Sequence, residues 1–139
     1  MAREEIMVHR FMGLAAALAL SACQAGAPSP GQPLIGSWGG QHVGLELTAR
    51  GGALDYDCAA GSIEGPVIPD SMGRFNVRGT HAPGHGGPDR IGETPPQIAA
   101  EYSGRVTGGR MTLAVRTPGL ELGPFILQRD AAPTIMRCL

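Results

Sequence analysis

Apolar and polar residues alternate along several short stretches in the last two-thirds of the chain. Five stretches place an apolar side chain at every second position, and they cover residues 43–48, 54–58, 74–78, 98–103 and 111–116. This period puts the apolar side chains of a strand on one face of a sheet. Antiparallel sheets with one face on a core and one in solvent show the same pattern. The alternation therefore predicts an all-β protein.

Glycine-rich turn signals separate these stretches. Arg50-Gly51-Gly52 and Thr107-Gly108-Gly109 each lie between two alternating runs, which is typical of tight hairpins. Residues 125–128 and 135–139 are further expected to be closing strands. Strands that begin about every ten residues are typical of sandwiches and barrels. We expect residues 34–139 to form one domain, a small antiparallel β-barrel of about seven or eight strands or a sandwich.

The N-terminal segment indicates export. Residues 11–20 form an uncharged apolar run that is too short to span a bilayer, which needs roughly 20 residues, but fits the core of a secretory signal. The following Leu20-Ser21-Ala22-Cys23 resembles the lipobox of bacterial lipoproteins. The resemblance implies that residues 1–22 are a signal peptide and that Cys23 is lipidated. The alternative is an ordinary signal that is cleaved after Ala22.

The residues around this motif refine the expected location. Glu4 and Glu5 cancel the positive charge that normally precedes a signal core, so translation starts at either Met1 or Met7. Residues 23–33 are rich in Pro, Gly and small side chains and predict a flexible tether. In the enterobacterial sorting rule Gln24 favours the outer membrane. We expect a lipid-anchored protein of the bacterial cell envelope, on the outer membrane and facing the periplasm.

Charge and composition exclude several classes of protein. The formal net charge is −1, and all 11 basic residues are Arg. A nucleic-acid-binding protein needs a concentrated basic face, so nucleic acid is not an expected partner. The chain also lacks the long periodic segments of a helical bundle.

Two cysteines remain after Cys23, and the predicted compartment permits disulfides. In the alternation pattern both Cys58 and Cys138 lie on inward faces, and we expect them to form a disulfide that closes a long loop. The other readings are two buried free thiols or a redox or metal site, but the sequence holds no Cys-x-x-Cys.

The opening of the domain gives a resemblance to a fold. Gly36-Ser37-Trp38-Gly39 resembles the Gly-x-Trp on the first strand of lipocalins, in which the Trp closes one barrel end. With the lipobox, the chain resembles short bacterial lipoproteins that have an eight-strand lipocalin-like barrel, a resemblance that implies no activity. We expect a small apolar or amphipathic ligand to bind inside the barrel. The expected lining residues are Trp38, Val43, Leu45, Leu47, Tyr56, Phe75, Tyr102, Leu113 and Val115.

Residues 80–97 form an expected long loop with no apolar periodicity. It contains His81, His85, Asp89 and Glu93, residue types that can coordinate Zn²⁺. The Pro and Gly residues between them exclude the helix that would align them, so a solvated loop or a surface for an envelope-protein partner is the stronger interpretation. Tyr56-x-Cys58-x-x-Gly61 also resembles the start of membrane-bound lysozyme inhibitors, which implies an inhibitor as the alternative function.

Catalytic patterns are missing from the sequence. Ser62 in Gly61-Ser62-Ile63-Glu64-Gly65 is misplaced for a nucleophile elbow, and no phosphate loop or dinucleotide fingerprint is present. We therefore expect a non-enzymatic binding module without a cofactor.

Overall fold

The computed structural model describes residues 29–88 and 90–139. The predicted signal peptide, the Cys23 lipidation site and Asp89 lie outside the described residues. The described residues form eight strands and no helix long and apolar enough to cross a membrane. The strands are β1 Gly36–Gly40, β2 Val43–Thr48, β3 Gly51–Tyr56, β4 Ala59–Glu64, β5 Arg74–Pro83, β6 Ile98–Thr107, β7 Arg110–Thr117 and β8 Leu120–Arg129.

The eight strands form a closed barrel in chain order. Every strand is antiparallel to the next, and β8 pairs with β1 through Trp38 opposite Arg129. Closure leaves no unpaired sheet edge between the first and last strands. The structure thus confirms the all-β prediction and decides for the barrel over the sandwich.

Alternate side chains point into the barrel and form one apolar core. The core is closed at the end of the barrel where the chain connects β2 to β3, β4 to β5 and β6 to β7. There the segment before β1 packs over the opening, with Leu34 donating its backbone N–H to the Val67 carbonyl oxygen at 2.8 Å. We call this the closed end. The buried apolar residues are Leu34, Trp38, Val43, Leu45, Leu47, Leu54, Tyr56, Ile63, Val67, Phe75, Ala100, Tyr102, Val106, Met111, Leu113, Val115 and Leu127.

Trp38 is packed on the closed-end side of the core, with 1% of its surface exposed. The Arg129 guanidinium lies over its ring, 4.7 Å from the ring centroid, a favourable cation–π contact. Arg129 also donates from Nη1 to the Ile35 carbonyl oxygen at 3.2 Å. Arg129 thereby joins the last strand to the entry of the first.

The predicted strand at 135–139 is wrong. Residues 130–139, which we call the tail, run outside the barrel, where a single bridge joins Gln41 and Thr134. Thr134 accepts a hydrogen bond from the His42 N–H at 2.7 Å and donates one to the Gly40 carbonyl oxygen at 3.0 Å. Because β1 and β8 already pair with each other, the barrel has no free edge for a ninth strand.

The Cys58–Cys138 disulfide is confirmed, but the predicted inward position of both cysteines is wrong. Both residues are exposed, and Cys58 lies in the turn after β3 with a φ of 56°. The strand alternation ends at Tyr56, so Cys58 no longer follows the inward face. The disulfide instead fastens the tail to the outside of the barrel.

Candidate functional site

A cavity of about 320 Å³ opens at the end of the barrel opposite the closed end. Here the chain makes the connections 41–42, 57–58, 84–97 and 118–119 between successive strands. The mouth of a β-barrel is a common place for a small-molecule site. We call this cavity the cup, and its lining residues are His42, Tyr56, Asp57, Ala59, His81, Leu120, Leu122 and Phe125.

One side of the cup is apolar and aromatic. The Tyr56 ring lies 5.9 Å from the Phe125 ring and 5.7 Å from the His81 ring, centroid to centroid. The pairing of β7 with β8 shifts register between Leu113 and Val115. Because of this irregularity, Leu122 and Phe125 both line the cup although they are three positions apart.

Two buried polar atoms at the cup make no hydrogen bond of good geometry. They are the Tyr56 hydroxyl oxygen and His81 Nδ1, and the two residues are only 5% and 3% exposed. Most buried polar groups in proteins are paired, so an unpaired group needs an explanation. The Trp38 Nε1 atom in the core is also unpaired, but only at the cup do such atoms belong to residues that line a cavity with an aromatic wall.

A third polar side chain lies beneath them. The Tyr102 hydroxyl donates to the Thr80 carbonyl oxygen at 2.6 Å, so its proton is already used. Burial, followed by a hydrogen-bonding interaction with the neighbouring Tyr102 hydroxyl, raises the pKa of Tyr56 well above its usual value. Burial lowers the pKa of His81. At neutral pH the phenols and the imidazole are therefore all uncharged.

Gly61 on β4 makes room for both phenols. A Cβ atom at this position would overlap the Tyr102 hydroxyl and would lie 3.2 Å from the Tyr56 hydroxyl. Any larger residue would compete with the tyrosine side chains for the same space. The polar floor of the cup therefore depends on a glycine.

Asp57 ties the rim of the cup to the tail. His42 Nδ1 lies 2.5 Å from Asp57 Oδ2, and Asp57 Oδ1 accepts the Met136 backbone N–H at 2.7 Å. The Met136 N–H, followed by His42, lowers the pKa of Asp57. One carboxylate thus holds two connections of the barrel and the tail together.

The lowered pKa of Asp57 predicts that the stability of the protein depends on pH. A folded-state pKa below the unfolded value of about 3.9 means that the stabilisation is fully present above that pH and is lost as the pH falls through the folded pKa. We expect the thermal midpoint of Asp57→Asn to change less with pH below about pH 4 than that of the wild type. We also expect hydrogen exchange at the Met136 amide to be faster. The matched control is Asp55→Asn, which changes an exposed carboxylate on β3. Equal pH profiles for Asp57→Asn and the wild type would contradict the assigned role.

The predicted lining residues occupy two regions of the barrel. Tyr56 lines the cup. The other predicted residues belong to the packed core, and Trp38 lies toward the closed end. They fill the barrel with their own side chains, as is common in small barrels. The core members are Trp38, Val43, Leu45, Leu47, Phe75, Tyr102, Leu113 and Val115.

The expected loop at 80–97 begins later than predicted. Residues 80–83 belong to β5, and His81 points inward, where it is buried. The inward positions Phe75, Val77, Gly79 and His81 continue one alternation, but glycine and histidine do not register as apolar. The spacing of the residues therefore predicts an inward position for His81, but glycine and histidine at these positions interrupt the apolar pattern.

Of the remaining members of the predicted metal or interaction cluster, His85 and Glu93 are exposed, and Asp89 lies outside the described residues. His85 Nε2 lies 3.7 Å from Glu93 Oε2. Within residues 29–88 and 90–139, no three His, Cys, Asp or Glu side chains come together as a metal site. The separation of His81 from the loop removes one residue from the proposed ligand set.

A larger groove lies on the outer surface of β5, β6 and β7. It has a volume of about 730 Å³ and is bordered by the charged residues Glu64, Arg78, Glu101 and Arg116. Its charges are of both signs, and neither of the unpaired buried atoms of Tyr56 and His81 lies in it. The cup is therefore the better candidate site.

Comparison of this chain with models of known protein families, with curated proteins and with solved structures finds no match.

Proposed function

We propose that this protein is a non-enzymatic binding module that holds a small apolar or amphipathic ligand in the cup. The observation that carries the proposal is a cavity at the barrel mouth whose lining combines an aromatic wall with two residues, Tyr56 and His81, that each carry an unpaired buried polar atom. Ligand pockets are mostly apolar with a few well-placed polar groups. A volume of 320 Å³ lies near the lower end of the usual range of about 300–1,000 Å³, so the ligand is small.

We further propose that the protein is anchored through a lipid on Cys23, in the bacterial cell envelope, on the outer membrane and facing the periplasm. The lipobox resemblance supports this location. The chain enters the barrel at the closed end, where Leu34 is buried. Residues 23–33 would reach at most about 35 Å at roughly 3.3 Å per residue. Such an anchor would leave the cup at the far end of the barrel, open to the periplasm.

The second candidate function is a protein-interaction or inhibitor module that uses the loop between β5 and β6. The observation that favours it is Ile91, a large apolar side chain that is fully exposed on this loop. Loops that a rigid scaffold holds in place carry a large share of binding residues. This loop leaves the barrel at the same end as the cup, so a protein partner there would also cover the cup.

A native mass spectrum of residues 24–139, produced in the periplasm, tests the two functions against each other. Extra mass that is removed by organic solvent would identify a ligand and support binding in the cup. A bare mass, together with capture of one envelope protein that depends on Ile91, would favour the interaction module instead.

Filling the cup gives a sharper test. We expect Ala59→Phe to weaken binding of the neutral fluorophore 1-aminoanthracene at least tenfold, because Ala59 lines the cavity and a phenyl ring there would occupy it. The matched control is Ala60→Phe on the same strand, where the side chain is exposed. The control should bind within about twofold of the wild type, since ordinary surface substitutions change free energies by about 0.5 kcal/mol or less. Folded Ala59→Phe protein with unchanged affinity would contradict the cup as the site.

A further inference from the structure

We propose that the cup selects ligands whose buried end is an uncharged hydrogen-bonding group, a hydroxyl or a carbonyl, carried on a compact apolar body. Tyr56 and His81 would hold that group. This inference rests on the proposed function and names the chemical class of the ligand.

The hydrogen-bonding capacity of the cup is the first argument. The Tyr102 proton is committed to the Thr80 carbonyl oxygen. The Tyr56 hydroxyl has only the Tyr102 hydroxyl beside it, and neither it nor His81 Nδ1 makes a hydrogen bond of good geometry. A phenol donates one proton and also accepts, and a neutral imidazole has one donor and one acceptor. A ligand hydroxyl or carbonyl can bond to either type of group, so it would supply the missing partner.

The absence of a buried charge at the cup is the second argument. Apart from Tyr56 and His81, the lining side chains that can ionise are His42 and Asp57, which face each other at the rim at 2.5 Å. The buried lining groups of Tyr56 and His81 are neutral at pH 7. Burial of an ionised carboxylate, phosphate or ammonium without a counter-charge is very unfavourable. The floor therefore accepts a polar group but rejects an ion.

The aromatic walls are the third argument. The Tyr56 ring has Phe125 on one side and His81 on another, with centroid separations of 5.9 Å and 5.7 Å. The two unpaired atoms are covered by the surrounding side chains. The outer torsion of histidine is broad and two-fold, so a modest rotation of the His81 ring would present a nitrogen to a bound ligand. Flat apolar rings with one polar substituent match this shape.

Three matched probes test the inference on the unaltered protein. Titrations of 1-naphthol, naphthalene and 1-naphthoate into residues 24–139 at pH 7 would be followed by amide chemical shifts. We expect 1-naphthol to bind at least tenfold more tightly than naphthalene, and naphthoate to be at least tenfold weaker than naphthol. Equal affinity for naphthol and naphthalene, or preferred binding of naphthoate, would overturn the inference.

Tyr56→Phe separates the recognition of the polar group from the shape of the cup. This variant keeps the ring and removes the hydroxyl, so affinity for naphthol should fall to within about threefold of the affinity for naphthalene. Folded Tyr56→Phe and His81→Phe proteins that both keep the tenfold preference would overturn the inference. If none of the probes, 1-aminoanthracene included, bound the folded wild type, the proposed function itself would fail, and the two failures are therefore distinguishable.

Discussion

Replacement of Cys58 and Cys138 with serine is expected to lower the free energy of unfolding by about 4 kcal/mol. The disulfide joins residues that are 80 positions apart. In the chain-entropy treatment, a cross-link over a loop of this length stabilises the folded state by about 4.5 kcal/mol, chiefly by restricting the unfolded chain. Domains of this size have a total stability of roughly 5–15 kcal/mol. The cross-link is thus expected to supply a large share of the stability.

The measurement is thermal and urea unfolding of the double variant beside the wild type. We expect the Tm to fall by about 15 °C or more, since 1 kcal/mol corresponds to roughly 4–8 °C in a small domain. The control is Arg137→Ser, which alters an exposed tail residue next to Cys138 and keeps the disulfide. A double variant that melts within about 3 °C of the wild type would show that the tail contacts alone are sufficient.

The tail should also loosen in the double variant while the barrel stays folded. Without the disulfide it keeps the hydrogen bonds of Thr134 to the connection between β1 and β2, and those of Met136 to Cys58 and Asp57. These bonds lie at the surface, where each contributes little. Hydrogen exchange at the amides of Thr134 and Met136 should therefore accelerate more than exchange within β5 and β6, the pair with the longest ladder.

The sequence predicted the barrel well because most strands bury only one face. The alternation over 43–48, 74–78 and 111–116 coincides with β2, the first half of β5 and β7. The pattern gave no signal for β4, whose inward positions include Ala59 and Gly61. Gly61 is small because the Tyr56 and Tyr102 hydroxyls fill the space in front of it, and Ala59 borders the cup. Where an inward position holds a small residue, the strand shows no alternation of large apolar and polar side chains.

The cup was harder to predict because it depends on where the regular pattern breaks. Leu122 and Phe125 face the cup on either side of the shifted register in β8. His81 extends the inward face of β5 beyond the last apolar side chain, and Asp57 occupies a turn that had been read as strand. Each of these positions is determined by how strands pair with one another. The alternation of apolar and polar residues within one strand carries no information about that pairing.

The two ends of the barrel differ in structure. At the closed end, Leu34 and Val67 cover the core, and Arg129 lies against Trp38. At the open end, the core stops at a layer of Tyr56, His81 and Tyr102, and the space above this layer stays empty of the chain's own side chains. The polar layer marks the boundary between the packed interior and the cup, so a change in this layer should affect both stability and binding.

Gly61→Ala is the change that tests this coupling. The new Cβ would overlap the Tyr102 hydroxyl and crowd the Tyr56 hydroxyl, so one or both rings must move. Overpacking of this kind costs about 1–3 kcal/mol, and movement of Tyr102 also breaks its hydrogen bond to the Thr80 carbonyl oxygen. We expect a lower Tm, and a loss of most of the preference for 1-naphthol over naphthalene.

Two further variants make the test of Gly61 specific. Gly109→Ala adds a Cβ that would meet nothing within 4 Å, so it controls for the loss of a glycine and should leave both stability and binding near wild type. Gly61→Ala combined with Tyr102→Phe removes the oxygen that the new Cβ would overlap. The double variant should therefore be less destabilised than the sum of the two single changes, because residues in contact are not additive. Strict additivity would mean that the two residues do not compete for space, and the polar layer would then not depend on Gly61.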